Sequence, residues 1–202
     1  MGRYGDRPDK RRSDVLTAVT EKCRAGLRTC PPSAGTETGP TRGEIAVPFP
    51  RRKNIRLPAA VYEQENLVFS ITICTAKRQR FFHDASLATQ ILEALKSGVM
   101  AHETQVYAYC LMPNHLHVLL ATSSGNIVEI IGRWKKFTGH LLRKNGMQGP
   151  FWQRGFYDHG LRKDEDVIKT AEYMVMNPVR VGLMERWEDY PFSWHRWMEG
   201  RP

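Results

Sequence analysis

The feature that most constrains this chain is a pair of β-forming runs joined by a tight turn. Gln105 to Leu111 and His115 to Ala121 flank Met112-Pro113-Asn114. Pro113 fixes its own φ and Asn tolerates turn conformations, so the two runs are expected to fold back as an antiparallel hairpin. Side chains on a strand alternate with period two, which puts His115 and His117 on one face and Leu116 and Val118 on the other. Two neutral imidazoles side by side on a flat support can act as two cis ligands of a divalent metal. A bare His-x-His is equally the pattern of two half-buried histidines in a strand, so the rest of the chain has to decide.

Around the hairpin the periodicity is regular. Leu67 to Cys74 is rich in β-branched residues and reads as a buried strand. Asp84 can cap a helix to about Ala101, with Leu87, Ile91, Leu95 and Val99 at four-residue spacing. Asn126 can cap a helix to about Lys144, with Ile127, Ile130, Ile131, Trp134, Leu141 and Leu142 turned inward. Phe151 to Leu161 is strand-like, and Asp164 is expected to open a last helix reaching about Met176. The order β-α-β-β-α-β predicts an α+β, ferredoxin-like antiparallel sheet with helices on one face, plus an additional C-terminal helix. The other sheet face would be free to bind a partner.

Charge narrows the partner. The formal net charge is +9, but residues 1–57 hold 13 Lys/Arg against 6 Asp/Glu, and residues 58–202 hold 17 against 15. Residues 1–50 mix Arg, Gly, Pro, Ser and Thr and are expected to form a flexible basic N-terminal extension, with a short helix over 15–28. Residues 51–202 are expected to form a single domain. Within it, Arg133, Lys135, Lys136, Arg143, Lys144 and Arg154 lie in a stretch with no acid between Glu129 and Asp158. Arg133, Trp134, Lys135, Lys136 and Arg154 are therefore the candidate contacts to a nucleic-acid phosphate backbone, inferred from charge and aromatic character, although a solvated helix face would show the same charge pattern.

The four cysteines lack CxxC spacing, as in a reducing compartment. No apolar stretch approaches the roughly 18–20 residues of a membrane span, and the basic N-terminus has no apolar core of a secretory signal. The expectation is a cytoplasmic protein with no membrane partner.

The last helix supplies a reactive group. Tyr173 and Asn177 are four residues apart on one helical face, with Lys169 one turn earlier. A phenol is a competent nucleophile when a cation stabilises the developing charge. An amide oxygen is an acceptable ligand for Mg²⁺ or Mn²⁺. Tyr157 is a second phenol nearby in sequence.

Four blocks then stand in order: Tyr109 to Leu119, with Pro113-Asn114-His115-Leu116-His117; Trp152-Gln153-Arg154-Gly155-Phe156-Tyr157-Asp158-His159; Glu172 to Leu183, with Tyr173 and Asn177-Pro178-Val179-Arg180; and Asp189-Tyr190-Pro191-Phe192-Ser193-Trp194. Together they resemble the single-tyrosine HUH transposases and, more narrowly, the REP-associated tyrosine transposases, over residues 51–197. The resemblance implies metal-dependent nicking and joining of single-stranded or hairpin DNA. His115, His117 and Asn177 would be the ligands of Mg²⁺ or Mn²⁺, and Tyr173 the nucleophile that forms a 5′-phosphotyrosine. It leaves monomer and homodimer both open. The alternative is a non-catalytic nucleic-acid-binding regulator on the same fold. A histidine-triad enzyme is disfavoured because Leu119 stands where a third alternating His is required.

Overall fold

The sheet of the computed structural model, which describes residues 57–198 apart from 65, 124, 163 and 164, begins with β1 (Val68–Cys74). It continues through α1 (Ala85–Lys96), α2 (Gly98–Glu103), β2 (Thr104–Met112), β3 (His115–Thr122), α3 (Ile127–Lys144) and β4 (Tyr157–Gly160). Then come α4 (Val167–Val175), α5 (Asn177–Arg180) and β5 (Ser193–His195). The strands lie in the order β4-β1-β3-β2-β5, and every pairing is antiparallel. The first four reproduce the split βαβ arrangement, so the expected α+β ferredoxin-like sheet stands, with β5 added beyond β2. The N-terminal extension over 1–50 and its helix over 15–28 lie outside the described residues, as does Asp164 itself.

Local chemistry sets the element ends. Asp84 accepts hydrogen bonds from the amides of Ser86 and Leu87 and so caps α1. The helix expected to run on to about Ala101 instead breaks at Ser97, whose extended backbone (φ −125°, ψ 170°) separates α1 from α2. Asn126 accepts from Val128 to start α3. Asp166 accepts from Ile168 and Lys169, which places the start of α4 two residues later than Asp164. Phe151 to Leu161 is not one strand: only Tyr157–Gly160 pairs with β1, and Trp152 makes an isolated bridge to Thr75. Between them the carbonyls of Gln153, Arg154 and Gly155 accept from Lys135.

The two sheet faces differ. On one, Phe69, Ile71 and Ile73 lie opposite Leu120, Val118 and Leu116, all fully buried. Against them pack Ile91, Leu95, Ile127, Ile130, Ile131 and Trp134 from α1 and α3. Leu141, expected inward, is only partly buried, because Leu142 takes the core-facing position of that turn. The other face carries His115, His117 and Leu119, opposite Met112, Cys110 and Ala108 of β2. It is not wholly free: α4 buries Ala171, Met174 and Val175, packing over β2 and β5. Among the described residues no helix covers the half of this face built by β1 and β4, where Tyr157 and His159 are exposed and Ser70 and Thr72 half-buried. The C-terminal block is anchored to β2. Tyr190 donates its hydroxyl to the Leu111 carbonyl at 2.7 Å, and Trp194 stacks on Tyr109 with ring centroids 5.8 Å apart. No helix among the described residues is long and apolar enough to cross a membrane.

Candidate metal-binding pair and nucleophile on the half-open face

Strand period and hairpin register bring the two imidazoles together. His115 sits between Cys74 and Met112, and His117 between Thr72 and Cys110. Their rings meet edge-on at 4.6 Å, and their Nε2 atoms are 2.9 Å apart. The Nδ1 atoms are held from behind. The Asn114 amide nitrogen faces the Arg78 carbonyl, so its Oδ1 accepts the proton of His115 Nδ1 at 2.6 Å. His117 Nδ1 shares a hydrogen bond with the Thr72 hydroxyl at 2.8 Å. Such partners fix the ring orientation of ligand histidines and leave Nε2 for a cation.

Burial pushes His115 down to about 3, with the His117 and Arg78 charges adding to the effect. Burial also pushes His117 down to about 4, helped by the Arg180 charge. Both are therefore neutral at pH 7, the state a metal ligand needs. Two metal–nitrogen bonds of about 2.1 Å at right angles span about 3 Å, so the pair fits a divalent ion. Among the described residues no set of three His, Cys, Asp or Glu is built for a metal. Further donors would have to come from amides, substrate or water.

Tyr173 is on α4, 68 % exposed, with the Arg180 guanidinium 3.6 Å from its ring centroid. Asn177 lies not in the same helix but at the start of α5, because α4 closes at Met176 and Pro178 has no amide proton to continue the ladder. The Asn177 side chain donates to the Met174 carbonyl at 2.8 Å, and its Oδ1 accepts from Arg180. That oxygen is thus held by Arg180 rather than turned to the imidazoles. The Arg180 charge reaches His117 and Cys110, which places this corner beside the histidine end of the face. Tyr157 also belongs to this face. It lies opposite Thr72, which lies opposite His117, and it is 56 % exposed.

The basic stretch divides into separate roles. Trp134, expected to touch DNA, is 2 % exposed and packs against Trp152 with ring centroids 5.2 Å apart. Helical spacing puts it in line with Ile127, Ile130 and Ile131, so it is a core residue and the DNA assignment is corrected. Lys135 donates to the carbonyls of Gln153, Arg154 and Gly155 at 2.5, 3.1 and 3.2 Å, which fixes that loop. Arg133 pairs with Glu103. Lys136 and Arg154 are exposed. With Arg143, Phe151 and Phe156 they line a groove of about 490 Å³ between α3 and residues 151–156. It is built on α3, which packs behind the sheet from the histidines.

The sequence assigns no site role to Thr72, Asn114 or Arg180, although Asn114 and Arg180 stand within its motif blocks. Asn114 could have been given one, since it adjoins His115; Thr72 needs the β1–β3 register, and Arg180 needs the fold of the α4–α5 corner.

Comparison with known proteins bears on the family and the fold. A candidate REP-associated tyrosine transposase of Haemophilus influenzae is 29% identical over 116 residues, 51% of this chain and 66% of the relative. The REP-associated tyrosine transposase of Escherichia coli K12 is 27% identical over 93 residues, 46% of this chain and 55% of the relative. The matches thus span just under two thirds and just over half of those relatives. A REP-associated tyrosine transposase solved bound to a REP hairpin shares the fold, with a TM-score of 0.53, 20% identity, and coverage of 65% of this chain and 78% of that one. The family model described as "Transposase IS200 like" matches residues 63–175, more than half of the sequence, and the chain belongs to that transposase family.

Proposed function

We propose that this protein nicks and joins single-stranded DNA at hairpin-forming repeats through a 5′-phosphotyrosine, as a transposase or a host-adopted descendant, in the cytoplasm. The observation that carries this is the His115–His117 pair: two neutral imidazoles with Nε2 atoms 2.9 Å apart, backed by Asn114 and Thr72, on the face over which α4, the helix of Tyr173, packs. The relatives named for REP elements, and the neighbour bound to a REP hairpin, support hairpin DNA as the substrate class.

His115 and His117 would hold Mg²⁺ or Mn²⁺, with Asn177 as a third donor once Arg180 releases its Oδ1. Bound there, the ion would act as a Lewis acid on a phosphate oxygen. The Tyr173 oxygen attacks phosphorus, the bond to the 3′ oxygen breaks, and a free 3′-hydroxyl departs. The phosphotyrosine keeps the energy of the phosphodiester, so attack by a 3′-hydroxyl rejoins DNA with no added nucleotide. The exposure of Tyr173 suits attack on a large polymer, and Lys136 and Arg154 would contact its backbone.

The test is incubation of labelled single-stranded oligonucleotides from the DNA flanking its own gene with Mg²⁺ or Mn²⁺, followed by peptide mapping of any covalent adduct. The expected adduct is at Tyr173 and disappears in Tyr173→Phe, which keeps the ring. An adduct at Tyr157 would reassign the nucleophile to the other phenol of this face. DNA binding without any adduct would make the protein a non-catalytic regulator.

A further inference from the structure

Beside the histidine pair the backbone holds an unusual turn. Lys77 and Arg78, neither of them glycine, both have left-handed backbone, at φ 53° and 52°. An L side chain in that region is strained, and two in succession persist only where surroundings over-determine them. Here they do. Thr75 is fully buried, and its hydroxyl lies 2.7 Å from the Gln79 carbonyl and 2.9 Å from the Asn114 carbonyl. The amides of Thr75, Ala76, Arg78 and Gln79 donate to Asn114, Phe151, Thr75 and Ala76 respectively. The Asn114 side chain bridges the Arg78 carbonyl on one side to His115 Nδ1 on the other.

The turn is therefore wired to the imidazole through one amide, and it directly follows Cys74, the register partner of His115. What it displays is charge. Lys77 and Arg78 are exposed and, among the described residues, neither forms an ion pair. The Arg78 charge reaches both Cys74 and His115. A strained backbone presenting a guanidinium that has no carboxylate partner among the described residues, at the edge of the histidine pair, is suited to gripping an anion in a fixed position.

We propose that the Thr75–Gln79 turn is a phosphate-binding site, in which the Arg78 fork, seconded by Lys77, grips one backbone phosphate of the DNA strand next to the histidine pair. This deepens the nicking function proposed above and rests on it for the identity of the ligand. Arg78 would act as a positioning residue. It fixes the register of the strand while the imidazoles and a tyrosine act on the neighbouring phosphate.

The test is a cycle of binding measurements with full-length protein. The ligands are single-stranded oligonucleotides from the DNA flanking its gene, each with one phosphate replaced by a neutral methylphosphonate. Arg78→Gln is expected to weaken binding about 10-fold, as for one lost charge-assisted bond. It should also flatten the salt slope by about 0.7. The penalty should vanish at one methylphosphonate position and persist at all others. Arg78→Gly separates charge from strain. Glycine accepts left-handed backbone, so this variant should melt no lower than wild type yet bind as weakly as Arg78→Gln. Arg78→Lys should fall between, because a point charge replaces a fork. Wild-type affinity in Arg78→Gln or Arg78→Gly, a penalty of equal size at every phosphate, or no wild-type binding at all would overturn the site. Failure of wild-type protein to form an adduct would count against the nicking reaction alone, since this cycle reads binding without chemistry.

Discussion

Strand β3 shows two kinds of residue set on one backbone. Leu116, Val118 and Leu120 point to the face that α1 and α3 cover, where all three are fully buried. His115 and His117 point to the face that α4 covers only over β2 and β5, and the remainder is left uncovered among the described residues. The covered side derives its stability from area removed from water, which is non-directional and tolerant of exact placement. The open side depends on a few hydrogen bonds from Asn114 and Thr72 that aim two nitrogens at one point. One residue of register separates the two behaviours, since a slip by one would exchange the faces.

That contrast makes the largest expected effects opposite in kind. On the proposed reaction, His117→Ala should lower metal-dependent cleavage by more than about 100-fold, the upper range for losing a residue that only orients a metal ligand. Affinity for DNA should change little, because phosphate and base contacts supply it. Single-turnover cleavage at several Mn²⁺ concentrations, beside a binding titration, measures both, and unchanged cleavage would remove the pair from the chemistry. Leu116→Ala, one position away, should instead cost about 2–5 kcal/mol of stability through the cavity it leaves. Denaturant unfolding reads that loss, and a melt like wild type would mean that the covered face is not the core.

An acid titration sharpens the same comparison. Both imidazoles are held neutral in the fold, at about 3 and about 4, against about 6.5 in the unfolded chain. As pH falls below 6.5 the unfolded state takes up two protons that the native state refuses. Stability of the metal-free protein is therefore full above about 6.5 and drops on acidification until the folded values are reached, by up to about 1.4 kcal/mol per pH unit for each imidazole. Replacing both histidines with Gln should flatten that stretch of the stability curve while leaving Leu116 and its neighbours packed. Equal slopes in the two proteins between pH 6.5 and 4 would contradict the neutral, buried pair.

Most of the covered side was legible in the chain, because burial writes itself as periodicity. The order of strands and helices, the Asn126 cap and the inward Ile127, Ile130 and Ile131 follow from spacing alone. The same periodicity shows why Trp134 belongs to the core, and its aromatic ring in a basic stretch pointed the other way. The histidine pair and the phenols were legible as residue types. Their supports were not: the Thr72 contact depends on register across 45 residues, and the Arg180 contacts depend on a helix break at Met176. The left-handed Lys77 and Arg78 left no sequence signal, since strain is imposed by tertiary bonds to Thr75 and Asn114 and not by the residues themselves.

The smallest expected effect tests whether DNA reaches round to the covered side. Lys136 and Arg154 are exposed on the groove between α3 and residues 151–156, and Lys135 serves that groove only by fixing its loop. If the strand passes there, Lys136→Gln and Arg154→Gln should each flatten the slope of log affinity against log salt by about 0.7, one single-strand phosphate contact apiece. The cleavage rate of bound DNA should stay as in wild type, since neither side chain is on the histidine face. Lys135→Gln should differ from both. Releasing three carbonyls loosens residues 153–155, so it should lower thermal stability as well as affinity. Slopes that match wild type in the Lys136 and Arg154 variants would confine DNA to the histidine face and make the groove a solvated surface.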